Sequence, residues 1–440
     1  MKVRCALSVI LLISTACSHS ANERPSSARP ERGPRLRSGR VEGSTSRETL
    51  DSTIVGLRAR IAAAPTDAAA AVTLADALLR QTRVSGNAGL AQEAERALLA
   101  VLQHDPERYD ARRMLAATYL SEHRFADALR EAERCRTMRS NDEWVHGVIG
   151  DAHIERGEYE TAFDAFDRMA ALKPTAAAYA RIAYARELQG DLEGSLHAMQ
   201  MATESTSPHD PESLAWHHAQ LGHLHLEMGQ LGSARREFLH AAHVFPGHPF
   251  ATAGLARVAA AEGDFRLALD TVMTIVSTAP TPADLAFAGD MLAALGDKDA
   301  AEQKYRLAEA AWRTDAPEPS RLARFLAEHG RHLDEAIAIG ERARVDRNDI
   351  FTADALAWAY FQTGRLDRAN TAMALALRTG SRDRVIRFHA AAIARASGQM
   401  SKARAYIAQA LEGSPRFDPI AGPAAASLGA ALAVPQVAQR

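Results

Sequence analysis

The chain has 440 residues, of which 47% are hydrophobic and only 6% are aromatic. This composition favours closely stacked helices over a β-sandwich or a β-barrel. The formal net charge is −2, but the first 44 residues carry five more basic than acidic side chains, so the remainder carries −7. An acidic chain without a lysine-rich or arginine-rich patch argues against binding to a phosphate backbone, and nucleic acid is not an expected partner.

The N-terminus has the pattern of an export signal, which we predict over residues 1–17. Lys2 and Arg4 form a basic start, and residues 6–13 are apolar over a length too short to span a bilayer. Small residues follow, and the segment ends at Cys17. This arrangement resembles the lipobox of bacterial lipoproteins, although a serine stands where a leucine is usual.

The lipobox resemblance implies that Cys17 is lipidated and that the protein is anchored to a membrane. Because Ser18 is not an aspartate, it also implies sorting to the outer membrane or another part of the cell envelope. Cleavage after Ala16 or Ala21 without lipidation remains open, and it would give a periplasmic or secreted protein. Export is the prediction that both alternatives share.

Two further segments precede the repeated part of the chain. Residues 18–44 are rich in Ser, Arg, Pro and Gly and lack apolar periodicity, which predicts a disordered tether. Residues 45–66 carry an apolar stripe that includes Leu50 and Ile54, and Pro65 ends it. We therefore predict an N-terminal capping helix over 45–66.

A glycine then recurs about every 34 residues, and a small residue follows most of these positions five residues later. Glycine adopts the left-handed conformation at a helix C-terminus without a Cβ clash, so each position predicts a helix, a tight turn and a second helix. The positions, with histidine replacing glycine once, are Gly89, His123, Gly157, Gly190, Gly229, Gly263, Gly296, Gly330, Gly364 and Gly398.

These repeats resemble the tetratricopeptide repeat family, and residues 221–246 carry its Leu-Gly, Gly, Ala, Phe, Ala, Pro pattern most fully. The resemblance implies an all-α, right-handed α-solenoid of about ten helix-turn-helix repeats. The step from Gly190 to Gly229 is longer than the others and contains two prolines, which predicts an extended connector with a bend or hinge. We therefore place repeats 1–4 in 67–207 and repeats 5–10 in 208–415.

The last segment, residues 416–440, is rich in Ala, Gly and Pro. A short apolar helix around Leu428 and Leu432 would cover the end of the array, as helical-repeat proteins require. A tail without structure is the alternative, and both remain open.

Stacked first helices line a concave surface, and the family resemblance implies which of their positions face it. Aromatic side chains interleaved with charged ones are typical of peptide-recognition surfaces. The alternative is that the tryptophans among them pack between repeats. The predicted groove residues are Trp144, Asp151, Glu155, Arg181, Tyr184, Trp216, Gln220, His223, Glu227, Phe250, Arg257, Arg324, Phe351 and Trp358.

Catalytic and metal-binding motifs are sparse. The chain contains no phosphate-binding glycine loop, no nucleophile elbow, no HExxH and no CxxC. The fifth repeat is rich in histidine, but we interpret His218 and His225 as substitutes for packing aromatics. His223 and Glu227 share a helix face and could hold zinc only with a third ligand from a neighbouring repeat. We therefore expect no metal site, no cofactor and no enzymatic activity.

The sequence as a whole predicts a non-catalytic scaffold or adaptor of the bacterial cell envelope that binds a protein or peptide partner and attaches to the membrane through its lipid anchor. Two alternatives from other classes remain. One is a surface lipoprotein that captures glycans or nutrients on the groove aromatics, and the other is a metal-dependent site in the histidine-rich fifth repeat.

Overall fold

The computed structural model describes residues 47–278, 280–314 and 319–433. The predicted signal peptide over 1–17, with Cys17, and the predicted tether over 18–44 lie outside the described residues. Regular structure in the described ranges consists of 22 α-helices.

The helices follow one another along the chain with short connections. The first eleven are α1 (Arg47–Ala63), α2 (Ala68–Ser85), α3 (Gly89–His104), α4 (Tyr109–Ser121), α5 (Phe125–Met138), α6 (Glu143–Glu155), α7 (Tyr159–Leu172), α8 (Ala176–Leu188), α9 (Leu192–Glu204), α10 (Pro211–Glu227) and α11 (Leu231–Val244). The second eleven are α12 (Pro249–Glu262), α13 (Phe265–Val276), α14 (Pro282–Ala294), α15 (Lys298–Thr314), α16 (Pro319–Glu328), α17 (Leu333–Ala343), α18 (Ile350–Gln362), α19 (Leu366–Ala376), α20 (Arg384–Ala396), α21 (Met400–Leu411) and α22 (Ala421–Ala433).

These helices form an all-α solenoid of antiparallel pairs. The first pair is α2 with α3, the tenth is α20 with α21, and each helix packs against the next along the chain. First helices of successive pairs also contact one another, for example α2 with α4 and α16 with α18. The predicted all-α helical-repeat solenoid is therefore confirmed.

Left-handed residues close the first helix of most pairs, at the positions where the sequence predicts them. The histidine that replaces glycine, His123, adopts the same conformation, with φ of 58°. The first pair differs from the prediction, because Gly86, with φ of 71°, ends α2, whereas Gly89 begins α3. The eighth pair accommodates an extra residue with a second left-handed position at His332. The glycines with positive φ at predicted turns are Gly157, Gly190, Gly229, Gly263, Gly296, Gly330, Gly364 and Gly398.

Glycines on first helices allow aromatic rings of second helices to approach closely. A Cβ on Gly150 would lie 2.3 Å from the Phe166 ring. The Phe238 ring lies between two first helices, because a Cβ on Gly222 would be 2.8 Å from it and a Cβ on Gly254 would be 2.2 Å from it. These positions have room for hydrogen alone, which fixes the spacing of α10, α11 and α12.

Successive turns of the solenoid touch one another, and we call these links the interturn contacts. The Ile350 backbone N–H donates to the Tyr159 hydroxyl at 2.9 Å across 191 positions of sequence. Arg378 donates to the Gly157 carbonyl at 3.1 Å and lies over the Tyr159 ring, 5.1 Å from its centroid. Near the C-terminus, Arg416 donates to a carbonyl 154 positions earlier. The array therefore winds back onto itself.

A buried ion pair also joins the first and fifth helix pairs. Arg83 on α2 donates two hydrogen bonds to Glu212 on α10, of 3.1 and 2.7 Å. Arg80 approaches Asp210 to 3.2 Å, and Asp210 caps α10 through the Ser213 backbone N–H. The connector between α9 and α10, where the sequence predicts a bend, is thus attached to the first repeat.

Helix α22 covers the end of the array. It packs against α20 and α21, and Leu428 and Leu432 are buried. Asp418 begins this segment by accepting hydrogen bonds from the Ile420 and Ala421 backbone N–H groups. Of the two alternatives left open for this segment, residues 421–433 adopt the helical one.

Candidate partner-binding surface

The solenoid encloses most of the predicted groove residues more tightly than an open groove would. Of the fourteen, six are half-buried and eight are buried. The half-buried ones are Tyr184, His223, Phe250, Arg257, Phe351 and Trp358. The buried ones are Trp144, Asp151, Glu155, Arg181, Trp216, Gln220, Glu227 and Arg324.

Asp151 and Arg181 bind each other across the interface of α6 and α8. The guanidinium donates to the carboxylate at 2.6 Å and 3.0 Å, and also to the Ala177 carbonyl at 3.1 Å. Burial raises the pKa of Asp151 to about 6, against the opposing attraction of Arg181. Both side chains are almost completely buried, so these two predicted groove residues hold the third and fourth repeats together and are closed to a partner.

The three tryptophans of the predicted groove pack against other side chains. The Arg113 guanidinium lies over Trp144, 4.2 Å from the ring centroid. Trp216 belongs to the apolar cluster of the fourth and fifth repeats, and Trp358 stacks on His389 with ring centroids 4.0 Å apart. These contacts fit the packing interpretation of the tryptophans.

Helices α8 and α10 carry three half-buried polar residues that we call the polar strip, namely Tyr184, Glu187 and His223. The His223 Nε2 atom lies 3.6 Å from a Glu187 carboxylate oxygen. Burial raises the pKa of Tyr184 well above its usual value, and the negative charges of Glu155 and Glu187 act in the same direction. Burial also raises the pKa of Glu155, while Arg347 on the linker before α18 opposes that shift. Residues from distant repeats therefore share one electrostatic environment.

Four predicted groove residues carry buried side-chain N–H groups that have no hydrogen-bond partner among the described residues, and we call them the inner donors. They lie on four different first helices. Leaving a buried donor without an acceptor costs about 1–3 kcal/mol, so each calls for water or a ligand oxygen. The inner donors are Trp144 (Nε1), Gln220 (Nε2), Arg257 (Nε) and Arg324 (both terminal nitrogens).

Arg324 is the inner donor with two terminal nitrogens that lack a partner among the described residues. Its Nε donates to Glu328 at 2.8 Å within α16, and its guanidinium carbon lies 5.7 Å from the Phe351 ring centroid. Arg324 as a whole is only 8% exposed to solvent. Its two terminal nitrogens can therefore donate to a carbonyl or carboxylate oxygen beside an aromatic ring.

The fifth repeat contains a group of potential metal ligands that the sequence did not predict. His218, Glu237 and His240 offer ligand atoms that all lie within 4.8 Å of one another, and within the described ranges this is the one group of three so arranged. The pair considered from the sequence, His223 and Glu227, is not part of it. The Glu237 carboxylate accepts a hydrogen bond from His218 Nδ1 at 2.8 Å, so His218 is more than a packing substitute. The Glu-x-x-His spacing on α11 was the available signal.

The described residues contain no helix with the length and hydropathy needed to cross a membrane. The fold is that of a helical-repeat protein. Residues 220–280 match the model of a family described as tetratricopeptide repeat. Together with the repeated left-handed turns and the glycine–aromatic contacts, this match identifies tetratricopeptide repeats in the chain, as the sequence predicted. Such repeats generally mediate binding to protein partners and are generally non-catalytic, so the chain is a repeat-based protein-interaction scaffold.

Several solved structures are similar to this chain. A tetratricopeptide repeat protein from Parabacteroides merdae ATCC 43184 is 16% identical, and the match covers 50% of this chain and 87% of that one at a TM-score of 0.39. For Pseudomonas aeruginosa pilF the identity is 16%, the coverage 51% and 98%, and the TM-score 0.38. PilW, described as a widely conserved type IV pilus biogenesis factor, is 19% identical, and the match covers 49% of this chain and 97% of that one at a TM-score of 0.38. No curated protein matches the chain.

Proposed function

We propose that this protein is an exported scaffold of the bacterial cell envelope, anchored by lipid at Cys17, that holds a segment of a protein partner against the inner surface of its solenoid. The observation that carries the binding proposal is the set of inner donors. A peptide backbone offers a carbonyl oxygen at every residue, and such acceptors would satisfy the buried N–H groups that lie on four of the first helices.

The half-buried side chains near the inner donors suit the same partner. Phe351 lies beside Arg324, and the side chains of Glu187 and His223 in the polar strip, 16% and 18% exposed, supply hydrogen-bonding groups that retain access to solvent. Aromatic side chains bury area at a low entropy cost, and charged groups fix the register of a bound segment. The glycan alternative gains no support, because Trp144, Trp216 and Trp358 are packed against other side chains.

Photo-crosslinking in cells tests the binding surface. A photo-reactive residue at His223, which is half-buried on α10, should capture a specific protein. The matched control is Arg236, which is exposed on the second helix of the same repeat and should not capture that protein. Equal capture from both positions would show that the partner does not bind the inner surface.

Affinity for the captured partner tests the inner donors directly. Arg324→Met should weaken binding by about tenfold or more, since a hydrogen bond from a charged donor contributes about 1.5–3 kcal/mol. Arg306, exposed on α15, provides the control substitution Arg306→Met. Far-UV circular dichroism should confirm that both variants remain helical, and equal affinities would contradict the role of Arg324.

The anchor has its own test. Cells grown with labelled palmitate should incorporate label into the wild-type protein, which should sediment with membranes. Cys17→Ala should abolish both the label and the sedimentation. A wild-type protein that is exported without label would favour simple cleavage of the signal, and it would leave the binding proposal untouched.

A further inference from the structure

The fifth repeat brings together two imidazoles and one carboxylate, none of which belongs to the inner donors. His218 lies on α10, while Glu237 and His240 lie three residues apart on α11. His218 Nδ1 is 2.8 Å from a Glu237 oxygen, and the His218 and His240 ring centroids are 5.1 Å apart at an interplanar angle of 85°. All three ligand atoms lie within 4.8 Å of one another. One ion could therefore contact all three side chains.

The helices that carry these side chains are closely packed. Phe238, next to Glu237, is buried, and its ring is held between Gly222 on α10 and Gly254 on α12, where no Cβ would fit. The two helices therefore have a fixed separation and rotation. Binding sites built on packed helices keep their ligands in place better than sites built on loops.

We propose that His218, Glu237 and His240 form a zinc site that joins the two helices of the fifth repeat. Two imidazole nitrogens and one carboxylate oxygen are a ligand set that zinc takes in proteins, whereas calcium and magnesium prefer oxygen ligands alone. With zinc–ligand distances of about 2.0–2.2 Å, tetrahedral ligand atoms stand roughly 3.3–3.5 Å apart. The 2.8 Å between His218 and Glu237 is below that range and the 4.8 Å limit of the group is above it, so zinc binding requires the side chains to adjust.

Access to solvent also fits a site that loads and releases an ion. His218 and Glu237 are half-buried, with side chains 16% and 25% exposed, and His240 is exposed. The fourth coordination position then faces solvent and takes water or a ligand atom from another molecule. The site shares no residue with the inner donors, so its presence does not depend on the proposed partner.

Calorimetric titration with zinc chloride tests the proposal on the full chain, purified without a polyhistidine tag and stripped with a chelator. One zinc ion should bind per chain. His218→Gln, Glu237→Gln and His240→Gln should each weaken that binding by at least about tenfold, since even groups that only orient metal ligands change affinity by that much. Each variant is compared with the wild type by circular dichroism.

His243→Gln is the matched control, because His243 is exposed on α11 one turn beyond His240. This variant should bind zinc as the wild type does. Cobalt(II) should give the visible absorption of a four-coordinate ion in the wild type and the control, and this absorption should be lost in Glu237→Gln. Absence of a one-to-one binding event, or equal zinc affinity in all the proteins, would overturn the proposal.

Discussion

The ion pair between Arg83 and Glu212 joins repeats that are far apart in sequence, and removing it tests whether the solenoid is closed on itself. Both side chains are only 4% exposed. Burial raises the pKa of Glu212, but the attraction of Arg83 and Arg80 outweighs it and holds that pKa below its usual value. The carboxylate is therefore ionised at neutral pH. Glu212→Gln removes its charge and leaves the Arg83 guanidinium buried without a counter-ion.

Breaking a buried ion pair by removing one partner destabilises a protein by about 3–5 kcal/mol, because the other charge stays desolvated. One terminal nitrogen of Arg83 already has no hydrogen-bond partner among the described residues. The loss of the Glu212 charge would therefore leave the guanidinium with still fewer compensating interactions. The pair between Arg58 and Glu93 provides the control. It has the same two-bond geometry, at 2.7 Å for both bonds, but its side chains are 45% and 28% exposed. Exposed pairs contribute about 0.2–1 kcal/mol, so Glu93→Gln should have a small effect.

Hydrogen exchange followed by mass spectrometry measures the loss of stability helix by helix, whereas an unfolding curve reports an average over the whole chain. Glu212→Gln should reduce protection in both α2 and α10, although seven helices separate them along the chain. Glu93→Gln should leave α10 unchanged. The double variant Arg83→Met with Glu212→Gln should recover part of the loss, because no charge is left buried. Loss of protection confined to α10, or equal effects of Glu212→Gln and Glu93→Gln, would refute the reasoning.

Two further predictions concern packing and pH. Gly254→Ala places a Cβ 2.2 Å from the Phe238 ring. This overpacking costs about 1–3 kcal/mol and should lower the melting temperature. The control Gly232→Ala, on the exposed face of α11, should raise the melting temperature. Equal shifts would contradict this. Burial lowers the pKa of His217 from 6.5 to about 3. The unfolded chain therefore binds a proton at a higher pH than the folded protein does, and the fold loses about 1.4 kcal/mol of stability per pH unit as the pH falls from 6.5 towards 3. Denaturant unfolding of His217→Gln should show a shallower loss between pH 6 and 4.5 and an unchanged slope above pH 7; equal acid slopes would contradict it.

The turns could be predicted from the sequence because their requirement is local. A residue that closes one helix and begins another needs a left-handed backbone, and glycine marks that need at Gly157 and Gly229. The first turn shows the limit of this reasoning. Two glycines lie close together there, and periodicity selected Gly89, whereas the backbone uses Gly86.

The burial of the groove residues could not be predicted, because it depends on how the first helices of neighbouring repeats pack. The repeat pattern places Asp151 and Arg181 on first helices but does not show that their side chains meet across the α6–α8 interface. The metal-ligand group was missed for a related reason. A pattern read along one helix face pairs His223 with Glu227, whereas the observed group combines side chains of two facing helices.

The hydrogen bond between Tyr159 and Ile350 constrains how this chain can change during evolution. A helical array in which each repeat touches only its neighbours can gain or lose a whole repeat with little disturbance elsewhere. In this chain, an insertion or deletion of one repeat between α7 and α18 would bring a different linker opposite Tyr159 and separate every interturn contact that spans the change. Selection for the wound form therefore acts on the number of repeats as well as on their sequences.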